Sequence, residues 1–536
     1  MGRHCVCLVG PAEQENLALA YLAGAVEQAG YEAHLVPFSS RRDIGAAVAA
    51  VIRLSPLIVG LGLSFQYCVE DYLRLVQELR RGGYEGHITC GGHVPTFCYR
   101  ELLRDAPGLD TVVRHEGERT VVDMLARLAR GAPLRELAGL VWREGGEVVV
   151  GPPGCLCPDL DQLPLPQRRA EPFVVGGMPI AFIITARGCT GECAYCSIGA
   201  FVSAAGGPRL RLRSADAVAG EVAALVARHR VRTVFVQDDL FILPSESGTI
   251  ERMEQLDAAL RARHVDEVAF WVKGRPETIT PAVLHAARGM GVIHVFLGVE
   301  SASAERLRYL GRVHRPADNE RAIELCRQHG IRPSFNLMLF DPDCTLEQVA
   351  VTLDFATAHI DLPWNVCRTE IYAGTRLLRR LRAQGRLRGD YRSYGYQMRD
   401  ARAELLFRIA RVCLHERAFA FDSLLNRIIS LSFARQVHER FFPGVTTDAL
   451  GAEVDELVID AHGDTVDVLR RLLDRCAQAG APSFEARELA IGEALAIGRR
   501  DQPRRARAAD LWQQLHARGL ALGSRLPGSR PRHREP

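Results

Sequence analysis

Lysine is nearly absent from this chain: 67 residues are Lys or Arg, and a single one of them, Lys273, is lysine. A GC-rich genome produces such a bias without any functional cause. It still singles out the lysine that remains. Long apolar runs are missing as well. No stretch approaches the ~18 residues of a membrane-spanning helix, and Met1-Gly2-Arg3-His4 leads into a short apolar strand with no leader-type apolar core. The chain therefore reads as cytoplasmic, without a membrane partner. A large charge of either sign is lacking too: the formal net charge is +3, which gives no electrostatic reason to expect a nucleic-acid partner. No internal repeat stands out.

Cysteine is not scarce. Fifteen cysteines lie among 536 residues of which 47% are hydrophobic, enough for about three domains with cores of their own. A small disulfide scaffold is excluded by that length. In a reducing compartment most such cysteines are small buried side chains, with a few left for metal.

Three cysteines stand at the spacing C-x-x-x-C-x-x-C in Arg187-Gly188-Cys189-Thr190-Gly191-Glu192-Cys193-Ala194-Tyr195-Cys196. The loop directly follows Ile180-Ala181-Phe182-Ile183-Ile184, an apolar run that reads as a buried strand. This is a metal-site spacing, and the ligand number is informative. Structural zinc wants four ligands and iron–sulfur clusters usually take four thiolates, so three cysteines on one loop leave a corner open for chemistry. The bland alternatives are inert buried cysteines, or a zinc loop whose fourth ligand lies elsewhere.

With Gly188 before the first cysteine and aromatic Tyr195 before the last, the loop resembles that of the radical S-adenosylmethionine (SAM) enzymes. The resemblance implies a 4Fe-4S cluster held by Cys189, Cys193 and Cys196, whose fourth iron takes the amino and carboxylate groups of SAM. One electron then splits the sulfonium and yields a 5′-deoxyadenosyl radical.

Residues 1–150 alternate short apolar runs with amphipathic segments. Strands are expected at 5–9, 33–38, 57–63, 87–90 and 111–115, and helices at 17–30, 43–54, 69–81 and 120–130. Apolar strands separated by helices predict a parallel, doubly wound, Rossmann-like sheet, with a ligand beyond the carboxyl ends of the strands. Those ends carry Gly10-Pro11, Ser64-Phe65-Gln66-Tyr67, Gly91-Gly92-His93 and Glu116-Gly117-Glu118. Taken together with Leu17 to Ala23, Gly60 to Ser64, Cys90 to His93 and Arg114 to Glu118, the segment resembles the cobalamin-binding domain that precedes the radical SAM domain in one large subfamily. The resemblance implies cobalamin contacts at Ser64, Phe65, Gln66, Tyr67, Gly91, Gly92, His93, Glu116 and Gly117. The loop Gly10 to Asn16 has no histidine, unlike cobalamin domains of the methionine-synthase type. The lower face of cobalt is then expected to meet water or a non-ligating side chain from the loop 65–67.

A proline-rich connector at 151–175, with Gly151-Pro152-Pro153-Gly154 and Leu163-Pro164-Leu165-Pro166, marks the expected domain boundary. Cys155 and Cys157 in it read as bystanders. From 176 to 390 the βα alternation resumes and should form the partial (β/α) barrel of the radical SAM fold. Functional residues in such a barrel gather at the carboxyl ends of strands. The strands 234–236, 269–272, 295–297, 335–339 and 365–371 lead there into Gln237-Asp238-Asp239, Lys273-Gly274-Arg275, Gly298-Val299-Glu300-Ser301, Phe340-Asp341-Pro342 and Tyr372-Ala373-Gly374-Thr375. By resemblance, Tyr195, Ser214, Asp238, Asp239, Arg275, Glu300 and Ser301 are SAM contacts, with Arg213 beside Ser214. Asp341 stands where many relatives carry glycine. Lys273 reads as a substrate-carboxylate anchor, a proton acceptor or a solvated strand-end residue. From 391 to 522 the pattern turns mainly α, with helices expected at 401–411, 424–436, 454–461 and 466–477, and the polar, proline-rich tail 523–536 reads as disordered.

The resemblance implies a cobalamin-dependent radical SAM methyltransferase of secondary metabolism, acting on an unactivated carbon. One SAM methylates cobalamin, a second is cleaved at the cluster, and the substrate radical takes the methyl group. A small-molecule or peptide substrate and an external one-electron donor of the flavodoxin or ferredoxin type are implied. The alternatives are a cyclase or ring-rearranging enzyme using the same cofactors, and a cobalamin- or SAM-binding sensor without turnover.

Overall fold

Among the described residues, eighteen strands carry the fold: β1 (Arg3–Gly10), β2 (Glu32–Pro37), β3 (Pro56–Gly62), β4 (His87–Gly91), β5 (Thr111–Val113), β6 (Leu140–Glu144), β7 (Glu147–Val150), β8 (Phe173–Val175), β9 (Met178–Ile183), β10 (Ala186–Gly188), β11 (Leu210–Leu212), β12 (Thr233–Val236), β13 (Ala269–Gly274), β14 (Val292–Glu300), β15 (Arg332–Phe340), β16 (Trp364–Arg368), β17 (Leu387–Arg388) and β18 (Gly395–Tyr396). The computed structural model describes residues 3–168, 171–443, 449–478 and 484–523. Residues 524–536 of the expected tail lie outside that range. Two compact units emerge, one from Met1–Ala170, Ile184–Ser214 and Glu370–Tyr396, the other from Glu171–Ile183, Ala215–Thr369 and Gln397–Pro536.

The first unit holds a seven-stranded sheet in the order β2-β1-β3-β4-β5-β6-β7. The five strands β1 to β5 are mutually parallel, as their apolar character predicts. Successive side chains go to opposite faces. Cys7, Val9, Val59, Leu61, Ile88 and Cys90 pack with Val51, Tyr72, Leu75 and Leu79 from the helices Ile44–Leu54 and Val69–Arg81. Val6, Leu8, Ile58 and Val113 pack with Leu19, Ala23, Met124 and Leu125 from Leu17–Gln28 and Glu118–Leu128. Asn16 caps the first of these helices, its side chain accepting from the Leu19 amide at 3.2 Å.

The sheet is not wholly parallel. β5–β6 and β6–β7 pair antiparallel, and Gly145 and Gly146, with φ of +60° and +88°, close the β6–β7 hairpin. The helix His93–Asp105 also falls where the sequence suggests only a glycine loop. Its Pro95 occupies the first turn, where a missing amide costs nothing.

The second unit is built on a sheet ordered β16-β15-β14-β13-β12-β9-β8. β9 and β12 to β16 are parallel and β8 is an antiparallel edge. The two edge strands do not pair with each other, so the barrel is open, as expected. Phe433 and Val437 of the helix Leu424–Phe441 cluster with Met178, Phe235 and Trp271 and cover one face of this sheet. The expected helices 454–461 and 466–477 are one helix, Leu450–Gln478, because Gly463 is accommodated without a break. A further helix, Phe484–Gly523, follows. Among the described residues no helix is long and apolar enough to cross a membrane.

Candidate functional site

The three cysteines lie in the first unit, on a loop spanned by the two-stranded ribbon β10–β11. Gly188 ends β10 with φ of +90°, and a Cβ there would overlap the carbonyl oxygen of Arg209. Only glycine closes this ribbon without strain. Cys189, Cys193 and Cys196 are of intermediate exposure. The Gly191 amide donates to Cys189 Sγ at 3.3 Å, and Cys196 stands at the N-cap of the helix Ser197–Ala205, where unpaired amides favour negative charge. Among the described residues no three His, Cys, Asp or Glu side chains converge as they would around one metal ion. Three thiols on one loop leave one corner of a metal site open and suit a cluster in which each binds a separate iron. The donor set therefore fits a 4Fe-4S cluster.

Arginines hold the loop in place. Arg209 Nη2 donates to the Gly191 carbonyl at 2.8 Å and Nη1 to Glu192 at 3.0 Å, while the Leu377 amide donates to the Ala194 carbonyl at 2.8 Å. Glu116, expected as a cobalamin contact, has its carboxylate occupied. Arg211 donates to both of its oxygens at 2.9 and 2.7 Å, the Cys157 amide donates at 2.6 Å, and Arg187 lies at 3.2 Å. Arg187 also pairs with Glu118 at 2.7 Å and lies over the Tyr21 ring at 5.0 Å. Burial alone would raise the Glu116 pKa, yet the two arginines outweigh it and hold the carboxyl below its usual range. Arg213 donates to the Ile184 carbonyl at 2.8 Å, and the Ser214 amide donates to Asp161 at 3.1 Å. Arg209, Arg211 and Phe201 were not anticipated. The alternation Arg209-Leu210-Arg211-Leu212-Arg213 is a period-2 strand signal that would have found the first two.

At the strand ends of the same unit, Phe65 and Tyr67 are exposed and stack at 5.5 Å, while Gln66 between them is buried. Gly91 ends β4, and Gly92 has φ of +120°, where a Cβ would overlap the Leu63 carbonyl oxygen. His93 stacks on Phe201 at 4.6 Å, and His115 meets the same ring edge-on at 5.3 Å. Burial pushes both imidazoles down to about 4, so they are neutral at pH 7. Their Nδ1 atoms are buried without a partner. Two orphaned nitrogens, an exposed aromatic pair and the glycines Gly91, Gly92 and Gly117 suit a large ligand rimmed with amides, as cobalamin is.

The second unit brings together Asp238 and Asp239 after β12, Lys273 near the end of β13, and Glu300 at the end of β14. Asp238 is buried and Asp239 exposed. Burial lowers the Lys273 pKa, partly offset by Asp239 and Asp238, and its ammonium makes no hydrogen bond to any described residue. Arg275 lies 3.6 Å from Glu277. Glu300 has φ of +63°, a strained conformation for a glutamate and a mark of functional sites, and stands 3.9 Å from Arg312. Ser301 is buried, with its hydroxyl shared between Thr352 at 3.4 Å and the Ser303 amide at 3.1 Å. Asp341 forms a buried pair with Arg306 at 2.9 Å.

Residues 3–125 match the B12 binding domain family, and residues 183–356 match the radical SAM superfamily. An uncharacterized methyltransferase of Pyrococcus horikoshii is 27% identical over 67% of this chain and 77% of its own. The anaerobic magnesium-protoporphyrin IX monomethyl ester cyclase of Cereibacter sphaeroides is 26% identical over 58% of this chain and 51% of its own. The hopanoid C-3 methylase of Methylococcus capsulatus is 27% identical over 63% of each. The match thus spans less than two thirds of the latter two. In fold, the chain is similar to the cobalamin-dependent S-adenosylmethionine radical enzyme OxsB, with a TM-score of 0.66 at 15% identity over 96% of this chain and 83% of that one. The chain pairs a B12 binding domain with a radical SAM domain and belongs to the cobalamin-binding radical SAM enzymes.

Proposed function

We propose that this enzyme transfers a methyl group to an unactivated carbon of a biosynthetic small molecule or peptide. When bound, the 4Fe-4S cluster and SAM supply a 5′-deoxyadenosyl radical, and cobalamin supplies the methyl group. Cys189, Cys193 and Cys196 hold the cluster. Phe65 and Tyr67 offer the corrin an aromatic platform, and His93 and His115 offer neutral imidazoles to its amide rim. Gln66 is turned inward and takes no part. Asp238, Asp239, Arg275 and Glu300 hold the polar groups of SAM. Lys273, with ammonium protons unspent on the described residues, takes an anionic group of the substrate.

The observation that carries this reading is the sharing of one compact unit by the cysteine loop and the strand ends of the cobalamin domain, tied through Glu116 to Arg187 and Arg211. A methyl donor and a radical source that serve one substrate need such a fixed relation. Anaerobic reconstitution with iron, sulfide and hydroxocobalamin, then reductant and SAM, tests it. Both 5′-deoxyadenosine and S-adenosylhomocysteine are expected. The cyclase named among the relatives favours a second reading, and deoxyadenosine without the homocysteine product would select it.

A further inference from the structure

Two segments of this protein are dense in arginine, and they are used differently. On the helix Phe484–Gly523, Arg500 pairs with Asp464, Arg504 with Asp460, Arg505 with Glu416 and Arg507 with Glu456. Those charges are spent within the fold. The segment 374–392, which contains the helix Arg376–Ala383 and β17, holds seven arginines against the single carboxylate of Asp390. Arg376 is engaged with Glu192, and Arg392 with Asp105 and Glu70. Arg379, Arg382 and Arg388 are exposed and reach no carboxylate within ion-pair distance among the described residues. Arg379 turns back to the Gly374 carbonyl at 2.9 Å, and Arg382 lies near the Tyr394 hydroxyl, whose ionised form it favours.

This basic face adjoins the cysteine loop. The Leu377 amide donates to Ala194, which lies between Cys193 and Cys196, and Arg376 stands 3.7 Å from the Glu192 side chain. The helix has eight residues and is about 12 Å long, so its exposed guanidinium groups lie beside the loop that holds the cluster. Radical formation needs an electron from outside, and electrons cross protein efficiently only over short distances. Unspent positive charge beside the point of entry suits an acidic carrier.

We propose that the face bearing Arg379, Arg382 and Arg388 is the docking surface for an acidic one-electron carrier protein of the flavodoxin or ferredoxin class. The inference rests on the radical SAM reading above. The carrier is oxidised by one electron, which enters at the cysteine loop and is spent in breaking the C5′–S bond of SAM to give methionine and the 5′-deoxyadenosyl radical.

The test compares the cluster- and cobalamin-loaded full chain with its Arg379→Glu/Arg382→Glu/Arg388→Glu variant. Deoxyadenosine formation is followed with reduced acidic flavodoxin and separately with dithionite, and binding of oxidised flavodoxin is measured alongside. The variant should raise the KM and Kd for flavodoxin by about tenfold or more and flatten their dependence on salt, with the dithionite-driven rate within about twofold of the parent. An Arg505→Glu/Arg507→Glu variant should change neither. Unchanged KM and Kd overturn the proposal. So does a parallel fall with both reductants, which would assign these arginines to the fold. If the parent chain makes no deoxyadenosine with either reductant, the radical SAM reading fails, and the Kd comparison still decides the docking surface.

Discussion

At Gly188 a single methyl group decides whether the cysteine loop closes. With φ at +90° and the Arg209 carbonyl in the way, Gly188→Ala should displace β10 from β11 and lower iron and sulfide per chain after reconstitution, with the Tm of the apoprotein less affected. Elemental analysis and the visible charge-transfer band check it. Lys273 poses a different question. Burial penalises its charged form, so Lys273→Met should leave the Tm unchanged or raise it at pH 7. SAM cleavage without substrate should persist within about twofold, because a substrate-binding group does not serve the cluster. Loss of deoxyadenosine in that variant would move Lys273 to SAM binding. The backbone strain at Glu300 could not be read from sequence, since nothing in Gly298-Val299-Glu300-Ser301 encodes a positive φ at a glutamate.

Among the elements, the ribbon β10–β11 is governed by Glu116. Replacing it with Gln leaves Arg187 and Arg211 buried beside a neutral amide, at a cost on the order of 3–5 kcal/mol, the range for breaking a buried ion pair. A lower Tm and weaker retention of the cluster should appear together, which a surface position would not show. The Glu116 carboxyl lies below its unfolded value, so its contribution is complete above about pH 4.3 and is lost as pH falls through the folded value. In the C-terminal helices, Arg417 is fully buried between Asp464 and Asp501, with its Nε 2.9 Å from Asp501. Asp501→Ala should lower stability by about 3–5 kcal/mol, read by denaturant unfolding, because it leaves a buried guanidinium half paired.

For the molecule as a whole, pH dependence follows from imidazoles held neutral. Burial pushes His93, His115, His294, His314 and His462 down to about 4. Unfolded histidine titrates near 6.5, so between roughly pH 6.5 and 4 the unfolded chain binds more protons than the folded one. The stability these groups contribute is complete above that window and falls within it by up to about 1.4 kcal/mol per pH unit for each imidazole. A Tm series from pH 8 to 4.5 should stay level and then drop steeply below about 6.5.

Local patterns were enough for much of this protein. The strands β1 to β5, the helix Val69–Arg81, the alternation of the barrel and the three-cysteine loop all depend on residues close in the chain, where periodicity and spacing report directly on structure. The β6–β7 hairpin escaped because two short strands carry little periodic signal, and the helix His93–Asp105 because Gly91-Gly92 and Pro95 at its start read as a loop. The continuous helix Leu450–Gln478 escaped because Gly463 marks a break only when packing does not override it. What tertiary structure alone decided were the partnerships between distant residues: Glu116 spent on Arg187 and Arg211 while Phe65 and Tyr67 stay exposed, Asp341 matched to Arg306, and arginines paired at 500–507 but unpaired at 379, 382 and 388. A sequence states which groups carry charge or an aromatic ring. Only the folded chain determines which of them satisfy one another, because burial and pairing act across space, and the groups left over are the ones that meet cofactors and partners.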